Sequence, residues 1–496
     1  MSPRDYDIVV AGGGMSGLTT AVSIGHYSKG KAKVLVVDRN PEAEVGKKTR
    51  NGWTCGDATS KMSLDYLAEQ VGIRYAPPEV EHTAKGMCVY SPNRKTKVSF
   101  DGEVFLLNRK IAPRRQVQDA RKMGVEFMFN ATAERLLAED GYVTGVSGRR
   151  SDGSAFRVTA KLTIDATGAS SVLRRFLPIR SMIEKEIDGD DIAVTGRYIL
   201  EFESAMESKE YFDPDYCIIH LDQFMAPAGY AWTFPKGKNK VNIGLGVSKS
   251  GLERRNRRFG LNDTLQSLLD KYVADNPVVK NSTQPQSDSD SGNTKGNWQI
   301  PVRRHNDCMV ANGFAVVGDA AWMPRPVDAG GIGPSIYGGT ILGRVAAEAV
   351  ESGDANEAAL WRYNVDYMNI HGYPMASFEV LRRYFRTLTN EQIDYGMKHF
   401  LSEDDVKSIS ESKHPQFNRT GLMNTAMGFR ILSLLPLPKG LRYTVDKCAS
   451  LVEINLAYPR SPRGFGEWKK RLERELLETA VGVPRTTGGY VQMTGR

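Results

Sequence analysis

The strongest constraint in this sequence is a glycine turn near its start. Residues 6–10 read Tyr-Asp-Ile-Val-Val, a short buried strand, and Gly12-Gly13-Gly14-Met15-Ser16-Gly17 follows. That run fits G-x-G-x-x-G. Residues 18–27 continue as a helix, and a second apolar strand at 33–37 ends on Asp38. A strand, a glycine turn, a helix and an acid-terminated strand form the opening unit of a doubly wound α/β sheet. Gly12 permits the tight turn, Gly14 lets a pyrophosphate approach the backbone, and Gly17 lets the helix pack on the strand. The helix start, with Ser16, offers N–H groups and a partial positive charge to phosphates. Asp38, 21 residues beyond Gly17 and followed by Arg39, can accept from ribose hydroxyls. The unit predicts dinucleotide binding.

Later segments choose the dinucleotide. Residues 162–168 read Leu-Thr-Ile-Asp-Ala-Thr-Gly, an apolar strand ending in a small-residue turn. Residues 314–321 read Phe-Ala-Val-Val-Gly-Asp-Ala-Ala, a buried strand whose end presents Gly318 and Asp319. Gly330, Gly331, Ile332 and Gly333 then precede a helix. Asp319 is placed for a ribityl or phosphate-side hydroxyl, and the Gly331–Gly333 backbone can approach a flat ring system. Three such segments in this order resemble the FAD site of the glutathione-reductase-like and hydroxylase-like flavoproteins, so FAD is the expected cofactor. A second G-x-G-x-x-G after a strand is not found. The expected electron donor is therefore a transient NAD(P)H or a ferredoxin-type protein.

A chain of 496 residues exceeds one ordinary core and should divide into two or three lobes. We expect a discontinuous FAD-binding domain over 1–80, 105–180 and 300–355. A substrate-binding domain takes 81–104 and 181–299, and a helical region takes 356–496. The stretches 192–202, 216–221 and 240–247 alternate like strands of an antiparallel sheet, and 282–298 reads as an exposed polar loop. Helices are clearest at 344–352, 356–371 and 468–477.

Residues 227–237 read Pro-Ala-Gly-Tyr-Ala-Trp-Thr-Phe-Pro-Lys-Gly. In a strand Tyr230, Trp232 and Phe234 share one face, which an ordinary aromatic core would also produce. The pattern P-x-x-Y-x-W-x-F-P resembles the signature of the geranylgeranyl reductase family, flavoenzymes that saturate prenyl double bonds, the archaeal digeranylgeranylglycerophospholipid reductases among them. Pro227, Tyr230, Trp232, Phe234 and Pro235 fill each fixed position. Trp53-Thr-Cys-Gly-Asp57 looks like the family's Cys-Gly segment beside the flavin, and implies Cys55, Gly56 and Ala58 as cofactor neighbours. By the same resemblance Arg109, Ala133, Asp319, Gly331 and Ile332 touch the cofactor, and Pro227, Tyr230, Trp232 and Phe234 the substrate. Trp322 departs from the family's usual glycine after Gly-Asp-Ala-Ala, which puts the local shape beside the flavin in question.

The resemblance implies an FAD-dependent reductase of geranylgeranyl chains on membrane lipids or prenyl precursors. Saturating an isolated alkene takes a proton on one carbon and a hydride on the other, more substituted carbon. Tyr230 and Trp232 are candidates to stabilise the intervening positive charge. Cys55 is a candidate proton donor or redox partner, or a small packed residue, and Cys308 is a candidate to approach it. The stretch 423–456 mixes Leu and Ile with Arg and Lys, and reads either as a membrane-surface segment or as a packing helix pair. Gly229-Tyr-Ala-Trp-Thr-Phe-Pro235 also resembles the G-W-x-W-x-I-P stretch of flavin halogenases, departing at Tyr230 and Phe234. A flavin halogenase or monooxygenase is the alternative enzyme, and a prenyl-binding escort the non-enzymatic one.

Composition bounds the rest. A net charge of +8 suits an anionic partner, but no RNA-binding aromatic motif or zinc-finger spacing appears, so nucleic acid is not expected. The five scattered cysteines include no C-x-x-C pair, and His82, His220 and His305 stand apart, so no metal is expected. The odd cysteine count and an apolar run of only 8–11 at the start predict a cytoplasmic protein, with peripheral membrane contact left open.

Overall fold

The computed structural model describes residues 4–48, 52, 54–203, 208–284, 295–411, 413 and 436–482. Two eight-stranded sheets carry the architecture. The path through the first runs Val310–Ala311, Phe314–Val316, Ala155–Asp165, Tyr6–Ala11, Val34–Val37 and Glu126–Met128. From Phe314–Val316 to Glu126–Met128 its strands are parallel. Ile8, Val9 and Val10 sit opposite Val34, Leu35 and Val36, and all six are buried, as a strand covered on both faces requires. Ala155–Asp165 is shared between two arrangements. Its second half lies beside Tyr6–Ala11, while its first half pairs antiparallel with Tyr142–Arg150 of a hairpin with Ala131–Glu139.

Two helices from distant parts of the chain close one face of this sheet. Met15–Tyr27 leaves the glycine turn, and Ile332–Glu351 packs along it. The contact is close because glycines lie in it. A Cβ on Gly343 would sit 2.3 Å from Ser23 Cβ, and one on Gly339 2.9 Å from Ser16 O.

The second sheet runs Lys295–Pro301, Ile192–Glu201, Lys240–Ser248, Tyr230–Pro235, Tyr216–His220, Val80–Tyr90, Lys97–Leu107 and Ala58–Ser60. Tyr216–His220 runs parallel to Val80–Tyr90, so the sheet is not wholly antiparallel as its alternation suggests. Ala58–Ser60 pairs with Lys97–Leu107. Residues 58–60 and 105–107, which the sequence division put in the FAD-binding domain, thus contribute to the second sheet. Lys295–Pro301 replaces the end of the expected 282–298 loop, whose residues 285–294 lie outside the described ones. Helix Leu265–Asp275 covers one face of this sheet, with Leu268, Leu269 and Tyr272 packed among Leu245, Val241 and Ile243. The other face looks toward the first sheet.

The helices Glu357–Tyr367, Met375–Phe385, Asn390–His399, Glu403–Ser410, Pro436–Leu456 and Phe465–Gly482 follow. They dock through buried charge as well as apolar packing. Lys469 pairs with Asp307 and, at 3.1 Å, with Glu184, while Arg304 bridges Asp307 at 2.8 Å and Glu379 at 3.1 Å. Of the expected surface segment 423–456, residues 423–435 lie outside the described ones, and Pro436–Leu456 packs against Met375–Phe385. Among the described residues no helix is long and apolar enough to cross a membrane.

Candidate active site

One cavity of about 630 Å³ joins the glycine turn of the first sheet to the aromatic strand of the second. Gly12 has φ +110°, and a Cβ there would stand 2.3 Å from the Ala166 carbonyl oxygen. Gly17 is locked in the same way, its Cβ position 1.9 Å from Gly12 O. Gly17 therefore does not line the cavity and serves the helix packing instead. Gly14 is the opposite case, with no atom within 4 Å of its Cβ position. That open space sits at the start of helix Met15–Tyr27, beside Ser16, and fits a phosphate. Asp38 lies at the end of its strand, where its Oδ2 accepts from Gly13 N–H at 2.6 Å and its Oδ1 from Asn40 N–H at 2.8 Å. Burial pushes its carboxyl up, against those two bonds.

The cavity continues past Arg39 and Ala133 on one side and past Asp319, Gly331 and Ile332 on the other. Lys48 Nζ stands 3.2 Å from Asp319 Oδ2, a cation at this wall that no sequence pattern marked. Gly331 caps helix Ile332–Glu351, which aims its first N–H groups at the same space. Together these residues offer two helix N-termini, an open glycine and two acids, a donor and acceptor set that fits FAD.

Trp322 leaves this shape intact. It adopts φ +59°, the left-handed conformation that a glycine takes most readily, which accounts for glycine being usual there. Its buried ring points away from the cavity, between the guanidinium groups of Arg174 at 4.5 Å and Arg303 at 4.6 Å.

Cys55, Gly56 and Ala58 form the wall between the two sheets, while Trp53 lies outside the described residues. The Cys55 sulphur accepts from Arg109 Nη1 at 3.3 Å and from Asp57 N–H at 3.3 Å. Arg109 Nε is buried and has no hydrogen-bond partner among the described residues. A Cβ on Gly56 would meet the Phe234 ring at 3.2 Å, so the loop and the aromatic strand are in direct contact. Cys308 does not join this wall. Its buried Sγ donates to Val310 O at 3.4 Å, and it is absent from the cavity lining.

The second sheet supplies the floor. Tyr230, Trp232 and Phe234 share one face, with successive ring centroids 6.0 Å and 6.1 Å apart. Opposite them in register stand Gly246, Gly244 and Asn242. A Cβ on Gly244 would lie 2.3 Å from the Trp232 ring, so this glycine lets the indole lie flat over the sheet. Asn242 then binds three groups. Its Oδ1 accepts from Trp232 Nε1 at 3.0 Å, and its Nδ2 donates to Cys55 O at 2.8 Å and Asp57 Oδ2 at 2.9 Å. Tyr230 Oη donates to Asp328 O at 2.5 Å, and burial pushes its phenol up. Ile219, Met87, Phe100 and Ile300 extend this face on either side into a mainly apolar floor. Pro227 is not part of it; its carbonyl accepts from Ser248 N–H at the strand's start.

Below this floor Lys236 Nζ lies 3.0 Å from Asp57 Oδ2 and 2.8 Å from Glu81 Oε2. Burial alone would lower the lysine, but the two carboxylates outweigh it and raise it. His220 and His305 are buried. His220 sits between Tyr272 Oη at 2.7 Å and Glu210 O at 2.9 Å, and burial lowers each ring to about 4.

A glycine-turn cavity of this kind, opening onto an apolar sheet face, defines an FAD-dependent oxidoreductase. Residues 5–201 match the FAD binding domain, and residues 197–284 the geranylgeranyl reductase catalytic domain. The chain is 33% identical over 484 residues to the digeranylgeranylglycerophospholipid reductase of Sulfolobus acidocaldarius, covering 96% of this chain and 99% of that protein. It is 28% identical over 406 residues to the protein of that name from Methanothrix thermoacetophila, covering 81% and 93%. The chain belongs to the geranylgeranyl reductase family, FAD-dependent oxidoreductases acting on C=C bonds. The crystal structure of a geranylgeranyl bacteriochlorophyll reductase-like protein from Thermoplasma acidophilum shares the fold, with TM-score 0.69, 23% identity, and 88% and 99% of the two chains covered. A myxobacterial chondrochloren halogenase shares it at TM-score 0.62 and 16% identity, covering 92% and 98%.

Proposed function

We propose that this protein saturates C=C bonds in geranylgeranyl chains of a membrane lipid. The observation that carries the reading is the continuity of the cavity. The wall that fits FAD runs without interruption into an apolar floor headed by Tyr230, Trp232 and Phe234. A prenyl chain needs that kind of surface, because it offers nothing to hydrogen-bond.

When bound and reduced, FAD supplies the hydride. Gly12, Gly14, Ser16, Asp38, Arg39, Ala133, Asp319, Gly331 and Ile332 would hold it, with Gly17 setting the helix behind them. Arg109 and the Cys55–Ala58 loop would complete the wall around it. The Cys55 thiol delivers the proton to the less substituted carbon. The resulting thiolate is then met by the Arg109 guanidinium and Asp57 N–H that already donate to Sγ. Positive charge at the more substituted carbon faces the rings of Trp232 and Tyr230, each worth about 0.5–2 kcal/mol when water is excluded. Phe234 flanks that chain, and Pro227 fixes the start of the strand. The electrons come from a transient NAD(P)H or a ferredoxin-type protein, and the protein works in the cytoplasm or at its membrane face.

The test is anaerobic reduction of the purified holoenzyme with a geranylgeranyl lipid, followed by mass spectrometry. A mass gain of one H₂ per double bond is expected. Oxygen uptake with unaltered lipid would reject the reading in favour of an oxygenase or halogenase.

A further inference from the structure

One surface of the second sheet is used by neither the cofactor wall nor the apolar floor. Helix Lys249–Phe259 leaves the sheet directly after Ser248. Ser248 lines the cavity, and its hydroxyl caps this helix by accepting from Gly251 N–H at 3.4 Å. The helix reads Lys-Ser-Gly-Leu-Glu-Arg-Arg-Asn-Arg-Arg-Phe, with five cations against the single acid Glu253. At its far end Phe259 is 51% exposed and meets Phe224, itself 48% exposed, edge to face at 5.4 Å. Arg255 lies 4.2 Å over the Phe224 ring and Arg258 5.4 Å over Phe259. Arg257 and Arg258 face solvent.

Two adjoining half-exposed rings framed by arginines form an apolar spot within a basic surface, the pairing of residue types that a membrane interface accepts. We propose that helix Lys249–Phe259 and Phe224 form the surface by which this protein rests on an anionic lipid bilayer. Arg257, Arg258, Arg254 and Lys249 complement acidic headgroups, and Phe224 and Phe259 enter the boundary below them. The inference rests on the prenyl-lipid reading and deepens it. Phe259 stands eleven residues, about 16 Å at 1.5 Å per residue, along the helix from Ser248, which itself lines the cavity. The two exposed rings favour a bilayer over an acidic protein, which the arginines alone would also suit.

The test sediments the holoenzyme with vesicles of phosphatidylglycerol and phosphatidylcholine in equal parts, and with vesicles of phosphatidylcholine alone. The protein should pellet with the first, not the second, and be released by high salt. R257E/R258E and F224S/F259S should each weaken binding about tenfold or more, with unchanged turnover of detergent-dispersed lipid. Wild type that ignores the anionic vesicles, the outcome expected of an acidic protein partner, overturns the proposal. So do variants that pellet like wild type. Failure of the reductase reading would appear separately, as wild type without turnover in detergent.

Discussion

Lys236 and Asp57 meet at 3.0 Å with side chains 1% and 0% exposed, joining the end of the aromatic strand to the loop that carries Cys55. Removing one partner of such a pair leaves a buried charge without its counterion. Lys236→Met should therefore cost about 3–5 kcal/mol of stability, because Asp57 and Glu81 would then face each other across an apolar side chain. Chemical denaturation measures it. A loss below about 1 kcal/mol would mean that water reaches the pair.

Asn242 ties the same loop to Trp232. Asn242→Leu should strip the indole of its acceptor and Cys55 O of its donor, costing about 1–3 kcal/mol. It should lower turnover while flavin content in the purified protein stays near that of wild type. Loss of flavin in proportion to activity would show that the residue serves the cofactor instead.

Trp232→Leu removes one of the two rings facing the developing charge. We expect turnover to fall about 2- to 30-fold, the kinetic equivalent of 0.5–2 kcal/mol, with FAD retained. Unchanged turnover at saturating lipid would remove Trp232 from the mechanism.

The turn glycines should separate by phenotype. Gly14→Ala meets no protein atom, so the chain should fold and melt normally but purify with little flavin, since the new methyl occupies the space proposed for phosphate. Gly12→Ala meets the Ala166 carbonyl at 2.3 Å and takes φ +110°, so it should lower the melting temperature even without cofactor. Equal flavin content in wild type and Gly14→Ala would contradict the assignment.

Acid should destabilise the protein early. Burial lowers His220 and His305 from 6.5 to about 4 and His371 to about 3. The unfolded chain therefore binds protons that the folded one refuses. Their contribution is complete above pH 6.5 and is lost as pH falls toward 4, roughly 2 kcal/mol per histidine at pH 5. Melting temperatures from pH 7 to pH 5 should drop steadily, and a flat profile over that window would show that these rings are protonated in the fold.

The glycine turn, Asp38, Asp319 and the aromatic strand were legible because each is a local pattern with a local cause. Turn geometry needs Gly12, and strand alternation puts Tyr230, Trp232 and Phe234 on one face. The ties between these pieces were not legible. Asn242 reaches Cys55 across 187 residues and Lys236 reaches Asp57 across 179, and neither residue type signals a distant partner. Gly244 and Gly246 were visible as glycines, but their use, to seat the rings opposite, appears only once the register is known. The expected approach of Cys308 to Cys55 failed for the same reason, since closeness to the Asp319 strand in sequence says nothing about which wall a side chain faces. Trp322 was read as a disturbance of the flavin pocket. What a residue needs at that point is a left-handed backbone, and a tryptophan can supply it when two arginines hold its ring.

The latch made by Lys469 bears on how this protein can be handled. Helix Phe465–Gly482 contributes no residue to the cavity, yet Lys469 reaches Glu184 and also Asp307, which shortly precedes the strands Val310–Ala311 and Phe314–Val316 that lead to Asp319. A chain cut before Phe465 would keep the whole cavity, yet among the described residues leave Asp307 to Arg304 alone and Glu184 to Arg303 alone. Helix Phe465–Gly482 is therefore part of the cofactor domain's electrical balance, and trimming it should lower stability without removing any residue of the cavity.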